Sequence, residues 1–177
     1  MRHVEPILEK SQLAPEHHGV YESIASSRGG IPEMFGVLLH DPAVADRIAR
    51  LGEQIRFDSQ LPASVKEIVI LTVAAQMPGS YFWKFHLPLA RDSGVSEELI
   101  GFIEGGSAAT GDDGKILAYV RDVVACRPPA PDIVKALIAR FGASGLVSLT
   151  STAAYYVMLI SFTAALGLSA GIQRPSG

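Results

Sequence analysis

The chain has one cysteine, Cys126, in 177 residues. A lone thiol closes no intramolecular disulfide and makes no two-cysteine redox pair, and such sparse use fits a reducing, cytoplasmic compartment. Charge of one sign is also missing: 15 Lys and Arg stand against 18 Asp and Glu, interspersed from Glu5 to Arg140. With no basic stripe to neutralise phosphates, nucleic acid is not an expected partner. The chain carries no Gly-rich phosphate loop, no zinc-type Cys and His spacing and no Gly-x-Ser-x-Gly elbow, so neither a metal nor another cofactor is expected. The opening Met1-Arg2-His3-Val4-Glu5-Pro6 is followed by no apolar run before Glu9 and Lys10. A secretory leader is therefore not expected.

One further absence needs closer reading. No Asp, Glu, Lys or Arg occurs between Arg140 and Arg174, and Leu146 to Leu168 is long enough to cross a bilayer. Ser148, Thr150, Ser151, Thr152, Ser161, Thr163 and several alanines interrupt the stretch. That mixture reads as a fully buried helix packed on its neighbours through small residues, and no membrane span is expected.

What remains reads as helical throughout, in one domain over residues 1–177, with an N-terminal extension to about residue 34 and a loose tail from about residue 170. Residues 13–39 read as a helix around Glu16 to Ser26, a Gly29-Gly30 turn and a short apolar helix. From Pro42 to Phe57, apolar Val44, Ile48, Leu51 and Ile55 recur at spacings of four, three and four, with Asp41 as cap and Pro42 in the first turn. A second long helix runs from about Pro62 to Gln76. Its run Ile68-Val69-Ile70-Leu71 could be a buried strand, but its Lys66-Glu67 opening, alanines and length favour a buried helix. A third spans about Ser80 to Asp92 and stops at Gly94, and Ser96 opens a short one that ends before Gly105-Gly106. Asp112 or Asp113 caps a helix whose Ile116, Leu117, Val120, Val123 and Val124 face inward. Pro131 starts the next, closed at Gly142, and the uncharged helix follows from about Gly145.

Chemistry concentrates between Lys66 and His86. Residues three and four apart share a helix face, so Phe82, Trp83 and His86 lie on one stripe with Gly79 about two turns back. Several readings of these residues stay open. A histidine among Tyr81, Trp83 and Phe85 is often a hydrogen-bonded packing residue. Glu67 follows Ser64 by three, the spacing of a capping box. Tyr81 and Trp83 either hold a flat substrate by stacking or fill the core. Arg56, near a helix end, either binds a substrate carboxylate or complements the helix C-terminus. His17 and His18, adjacent on a helix, make a poor metal pair.

This segment resembles the carboxymuconolactone decarboxylase and AhpD-like alkylhydroperoxidase family, in which a helical glutamate, a Cys-x-x-Cys pair and a histidine form one proton-relay site. The family's glutamate lies twelve residues before its first cysteine and its histidine seven after it, which are the offsets of Glu67 and His86 from Gly79. The two cysteine positions fall on Gly79 and Phe82. In many cysteine-free relatives a glutamate occupies the second position, in a Tyr-Glu-Trp-x-x-His pattern; here Tyr81, Trp83 and His86 match and Phe82 replaces that acid. Asp92-Ser93-Gly94-Val95 and Arg140-Phe141-Gly142 extend the likeness.

The resemblance implies an all-α, AhpD-like bundle that assembles as a trimer or higher homo-oligomer. It also implies a site in which His86 is acid or base and Glu67 orients it, with Tyr81, Phe82, Trp83 and Arg56 around a small-molecule substrate. Glycine and phenylalanine cannot replace a thiolate, so disulfide-cycling peroxidase chemistry is not expected. Two functions remain: a cofactor-free lyase or isomerase acting on a small unsaturated lactone or keto acid, or a non-catalytic binding or scaffold protein on the same fold.

Overall fold

The computed structural model describes residues 3–77 and 81–168. Among them every regular element is helical. The Met77-Pro78-Gly79 connection, apart from Met77, and the tail expected from about residue 170 lie outside the described residues. The chain divides into two compact units, Met1–Asp58 with Ser161–Gly177, and Ser59–Ile160.

In the first unit, α1 (His18–Arg28) stops where Gly29 turns left-handed, with φ of 69°. The short α2 (Glu33–Leu38) is buried along its whole length. In α3 (Pro42–Phe57), the Asp41 carboxylate accepts from Val44 N at 3.2 Å and Pro42 occupies the first turn, as expected. Arg28, only 6 % exposed in its side chain, joins these helices. Its guanidinium donates to the Ala49 carbonyl at 3.0 Å, pairs with Glu53 at 3.3 Å and lies 4.2 Å from the Phe35 ring centroid. A cation this deep requires such satisfaction from several sides.

The face of α3 departs from expectation. Ala45, Ile48, Ala49, Gly52 and Ile55 are buried, whereas Val44 and Leu51 are 39 % and 45 % exposed. The small residues allow close approach, which turns the buried stripe from the larger Val44 and Leu51 toward Ala45, Ala49 and Gly52.

The second unit is built on α4 (Ala63–Gln76), in which Val65 and every residue from Ile68 to Ala74 are buried. A helix apolar on all sides needs partners on all sides. It packs against α5 (Tyr81–Asp92), α6 (Glu97–Glu104) and α7 (Gly111–Val124). The expected stops and starts hold at α5 and α6: Gly94 is left-handed with φ of 90°, and Ser96 Oγ accepts from Leu99 N at 3.2 Å.

The start of α7 differs from the sequence reading. Its N-cap is Thr110, and Asp112 and Asp113 lie within the first turn. There their charges complement the helix dipole without capping it. Ile116, Leu117 and Val120 are fully buried, as expected, while Val123 and Val124 are half-buried.

The last helix, α8 (Pro131–Ala165), is broken at Gly142, with φ of 71° and ψ of 174°. Among the described residues it is the helix long and apolar enough to cross a membrane by length and composition. Its Leu149, Thr152, Ala153, Tyr155, Tyr156, Leu159 and Ile160 are buried within the protein. The Tyr119 hydroxyl and Thr150 Oγ1, 2.7 Å apart, tie α7 to α8.

Gly142 and Gly101 should respond to alanine with opposite signs. Nothing crowds a Cβ at either position, but Gly142 occupies a conformation that is essentially reserved for glycine. Urea unfolding should show Gly142→Ala losing about 1 to 3 kcal/mol. Gly101→Ala, inside α6, should gain about 0.4 to 1 kcal/mol.

Candidate active site

Glu67 and His86 meet directly. His86 Nδ1 lies 2.8 Å from Glu67 Oε2. An ionised carboxylate only accepts, so Nδ1 carries the hydrogen and donates it, which leaves Nε2 as the lone-pair nitrogen of the neutral ring.

The two helices make this contact possible despite an offset. Glu67 lies nine residues before the end of α4 and His86 five residues after the start of α5. At a rise of about 1.5 Å per residue the two positions differ by roughly one helical turn along the hairpin, within reach of two long side chains.

This geometry also resolves the competing reading of Glu67. The N-cap of α4 is Pro62, with no side-chain cap, and Ser64 lies inside the helix. Because Pro62 already marks the extended residue before the helix, Ser64 has no capping place to fill and the expected box does not form. The carboxylate turns to the imidazole instead.

Burial sets the electrostatics. The His86 side chain is 3 % exposed and the Glu67 side chain 14 %. A buried ring N–H without a partner costs about 1 to 3 kcal/mol, and a hydrogen bond to a charged acceptor contributes about 1.5 to 3 kcal/mol. The Glu67 contact is therefore the polar interaction that makes an imidazole tolerable at this depth.

Around the imidazole the surroundings are aromatic. Phe82, one turn before it, stacks at 6.4 Å between ring centroids and an interplanar angle of 25°. Phe85 meets it edge-on at 5.1 Å and 74°. Tyr156 of α8 stands perpendicular to it at 5.1 Å and 86°, and also meets Phe82 edge-on at 5.6 Å. Tyr81 packs on Phe82 and Phe85, at 5.8 and 5.5 Å.

Of the other residues expected here, Phe82, Tyr81 and Trp83 are half-buried on α5. Gly79 lies outside the described residues. Arg56 belongs to the first unit, on α3, with its guanidinium 5.1 Å from the Phe57 ring centroid. Tyr156 and Phe85 were not singled out from the sequence. Phe85 had a local signal in its position next to His86, whereas Tyr156 lies in the uncharged part of α8 beyond Gly142, where composition marks no face.

No group of three or more His, Cys, Asp or Glu side chains is gathered for a metal ion among the described residues. Cys126 follows the end of α7, exposed and with φ of 52°. The Glu67–His86 pair thus presents a proton donor or acceptor, oriented by a carboxylate and walled by aromatic rings.

The profile of the Carboxymuconolactone decarboxylase family matches residues 42–124, the segment that holds both Glu67 and His86. Over that segment the chain is similar to the family. No curated protein sequence matches the chain.

Solved structures share the fold of this carboxymuconolactone decarboxylase-like chain. The debrominase Bmp8 in complex with 2,3,4-tribromopyrrole is similar at a TM-score of 0.72 and 15 % identity, over 95 % of this chain and 91 % of the other. A peroxidase-related protein from Silicibacter sp. TM1040 is similar at 0.70 and 12 %, over 93 % and 91 %. A protein of unknown function from Agrobacterium tumefaciens, considered an AhpD antioxidant defence protein, is similar at 0.61 and 14 %, over 76 % and 95 %. At these identities the likeness establishes an AhpD-like helical fold.

Two substitutions separate the capping role of Glu67 from its contact with His86. Ser64→Ala should change the urea-derived stability by less than about 0.5 kcal/mol, as at a site without special features. Glu67→Ala should cost about 1 to 3 kcal/mol, because it leaves the buried Nδ1 hydrogen without a partner.

Proposed function

We propose that this carboxymuconolactone decarboxylase-like protein is a cofactor-free proton-transfer enzyme, a lyase or isomerase acting on a small unsaturated lactone or keto acid. The observation that carries the reading is the 2.8 Å contact between His86 Nδ1 and Glu67 Oε2. A carboxylate on Nδ1 stabilises the imidazolium and directs Nε2 to the reacting atom.

In an isomerisation, neutral Nε2 takes a proton from the carbon next to the carbonyl, and the electron pair of that C–H bond passes into the conjugated enolate. The same nitrogen returns the proton at the far carbon. In a decarboxylation, the bond to the departing carboxylate breaks instead, carbon dioxide leaves, and the imidazolium protonates the resulting carbanion at the same position. Water then restores the ring's proton. Neither route needs an oxidant or a thiol, which suits a site with Phe82 beside His86.

Tyr81, Phe82 and Trp83 would hold the substrate by stacking, as flat conjugated rings prefer. The debrominase of similar fold binds 2,3,4-tribromopyrrole, itself a flat unsaturated ring, which supports this substrate shape. The exposed Val44 and Leu51 on α3 fit a trimer or higher homo-oligomer, in which subunit contact removes apolar surface from water. A cytoplasmic location, without membrane or nucleic-acid partners, completes the reading.

A second reading draws on the same burial. With only 3 % of its side chain exposed, His86 would also suit a binding or scaffold protein in which the pair holds α4 to α5 and does no chemistry. Proton exchange separates the two. Incubation with carboxymuconolactone and related unsaturated lactones in D2O, followed by proton NMR, should show deuterium entering next to the carbonyl. His86→Ala should abolish that entry while remaining folded and of unchanged oligomeric state. Exchange that persists in the variant would remove His86 from the chemistry. No exchange with any lactone or keto acid would favour the scaffold.

A further inference from the structure

The Glu67 bond holds one edge of the imidazole, and the packing around the ring acts on the same torsion. The torsion that turns a histidine ring is broad and roughly two-fold, so a half-turn exchanges Nδ1 for Cδ2 at the carboxylate with little cost from the torsion itself. Such a turn would break the hydrogen bond and point both nitrogens away from their tasks. During it the ring must sweep through a plane crossing its resting one. The neighbours that could obstruct the sweep are therefore those whose rings lie against the imidazole and are themselves held in place.

Tyr156 meets that requirement best. Its ring lies 5.1 Å from the imidazole at 86°, and it is 2 % exposed, hence surrounded on all sides. It is braced twice, edge-on against Phe82 at 5.6 Å and 89° and against Tyr155 at 5.6 Å and 81°. Phe82, in turn, covers the imidazole nearly parallel, at 25°. The His86, Phe82 and Tyr156 rings thus form a closed triangle, two of its members on α5 and the third on α8. Phe85 also meets the imidazole steeply, at 74°, but it is half-buried and adjacent to His86 on the same helix. Tyr156 arrives from a different helix and so fixes the ring relative to the rest of the unit.

We propose that Tyr156 is a positioning residue for His86: its perpendicular ring holds the imidazole with Nδ1 on Glu67 and Nε2 directed to the reacting proton. The proposal rests on the proton-relay reading of the pair. It assigns the task to the ring of Tyr156, and it connects the part of α8 beyond Gly142 to the active site. An alternative in which Tyr156 only fills space predicts the same loss of packing on truncation but no change in the state of the imidazole.

The test reads that state without any substrate, so its outcome is independent of whether turnover is found. The full-length protein, labelled with nitrogen-15 in its histidines, is examined by NMR at a pH where the imidazole is neutral, with the His86 signals assigned from a His86→Gln sample. The native ring should show one protonated and one unprotonated nitrogen, with a slowly exchanging Nδ1 hydrogen. Tyr156→Phe, which keeps the ring, should retain both features. Tyr156→Leu should lose the slow hydrogen and draw the two nitrogen shifts toward each other as the tautomers mix, while circular dichroism still reports a folded helical protein. Should the leucine variant fail to fold, Tyr156→Met supplies bulk without a planar ring and should give the same loss. A native nitrogen pattern in a folded Leu or Met variant would overturn the proposal, as would its loss in Tyr156→Phe, which would assign the task to the hydroxyl.

Discussion

A buried imidazole must have a partner for its ring hydrogen, and in this protein the partner is supplied by the neighbouring helix. The His86 Nδ1 to Glu67 Oε2 contact, at 2.8 Å, is the constraint on which the second unit depends. The apolar side chains between α4 and α5 supply burial, which is non-directional, and the bond adds a directional term to it. With it, only the arrangement that brings Glu67 to His86 avoids leaving a polar group unsatisfied in an apolar setting. One directional bond thus selects among many packings of similar area.

The surroundings follow from that requirement. Helix α4 is apolar nearly all round, from Ile68 to Ala74, so α5, α6 and α7 must cover it. Glu67 stands just before this apolar run, one residue ahead of Ile68, where its side chain keeps 14 % exposure. The carboxylate therefore faces both the buried ring and the solvent edge. Phe82 lies over the imidazole, with 6.4 Å between ring centroids, and contributes an aromatic face there.

Much of the fold could be read from local signals because helix ends are written in single residues. Asp41 with Pro42, Gly94, Ser96 and Gly142 each marked a boundary that the structure places there. Local signals misled where a nearby residue had already taken the role. Pro62 leaves Ser64 nothing to cap, and Thr110 precedes the two aspartates expected to cap α7. On α3 the pattern of large apolar residues named Val44 and Leu51 as core, whereas close approach through Ala45, Ala49 and Gly52 turned them toward solvent.

The site was legible only in part. Spacing along the chain placed Phe82 beside His86, since both lie on one helix. It could not set the distance from Glu67, which depends on how two helices pack, and only family resemblance brought that residue to the imidazole. Tyr156 escaped notice for a related reason. It lies seventy residues beyond His86, in the uncharged part of α8 after Gly142, where no charged face distinguishes the side that meets α5.

The most direct measurement is a double-mutant cycle in urea unfolding, comparing the native protein with Glu67→Ala, His86→Ala and the variant carrying both. If the pair is one interaction, the second substitution should cost far less once the first is made, with a coupling energy of about 1 to 3 kcal/mol. Effects that add to within about 0.5 kcal/mol would show the two residues to be independent, and would contradict the account.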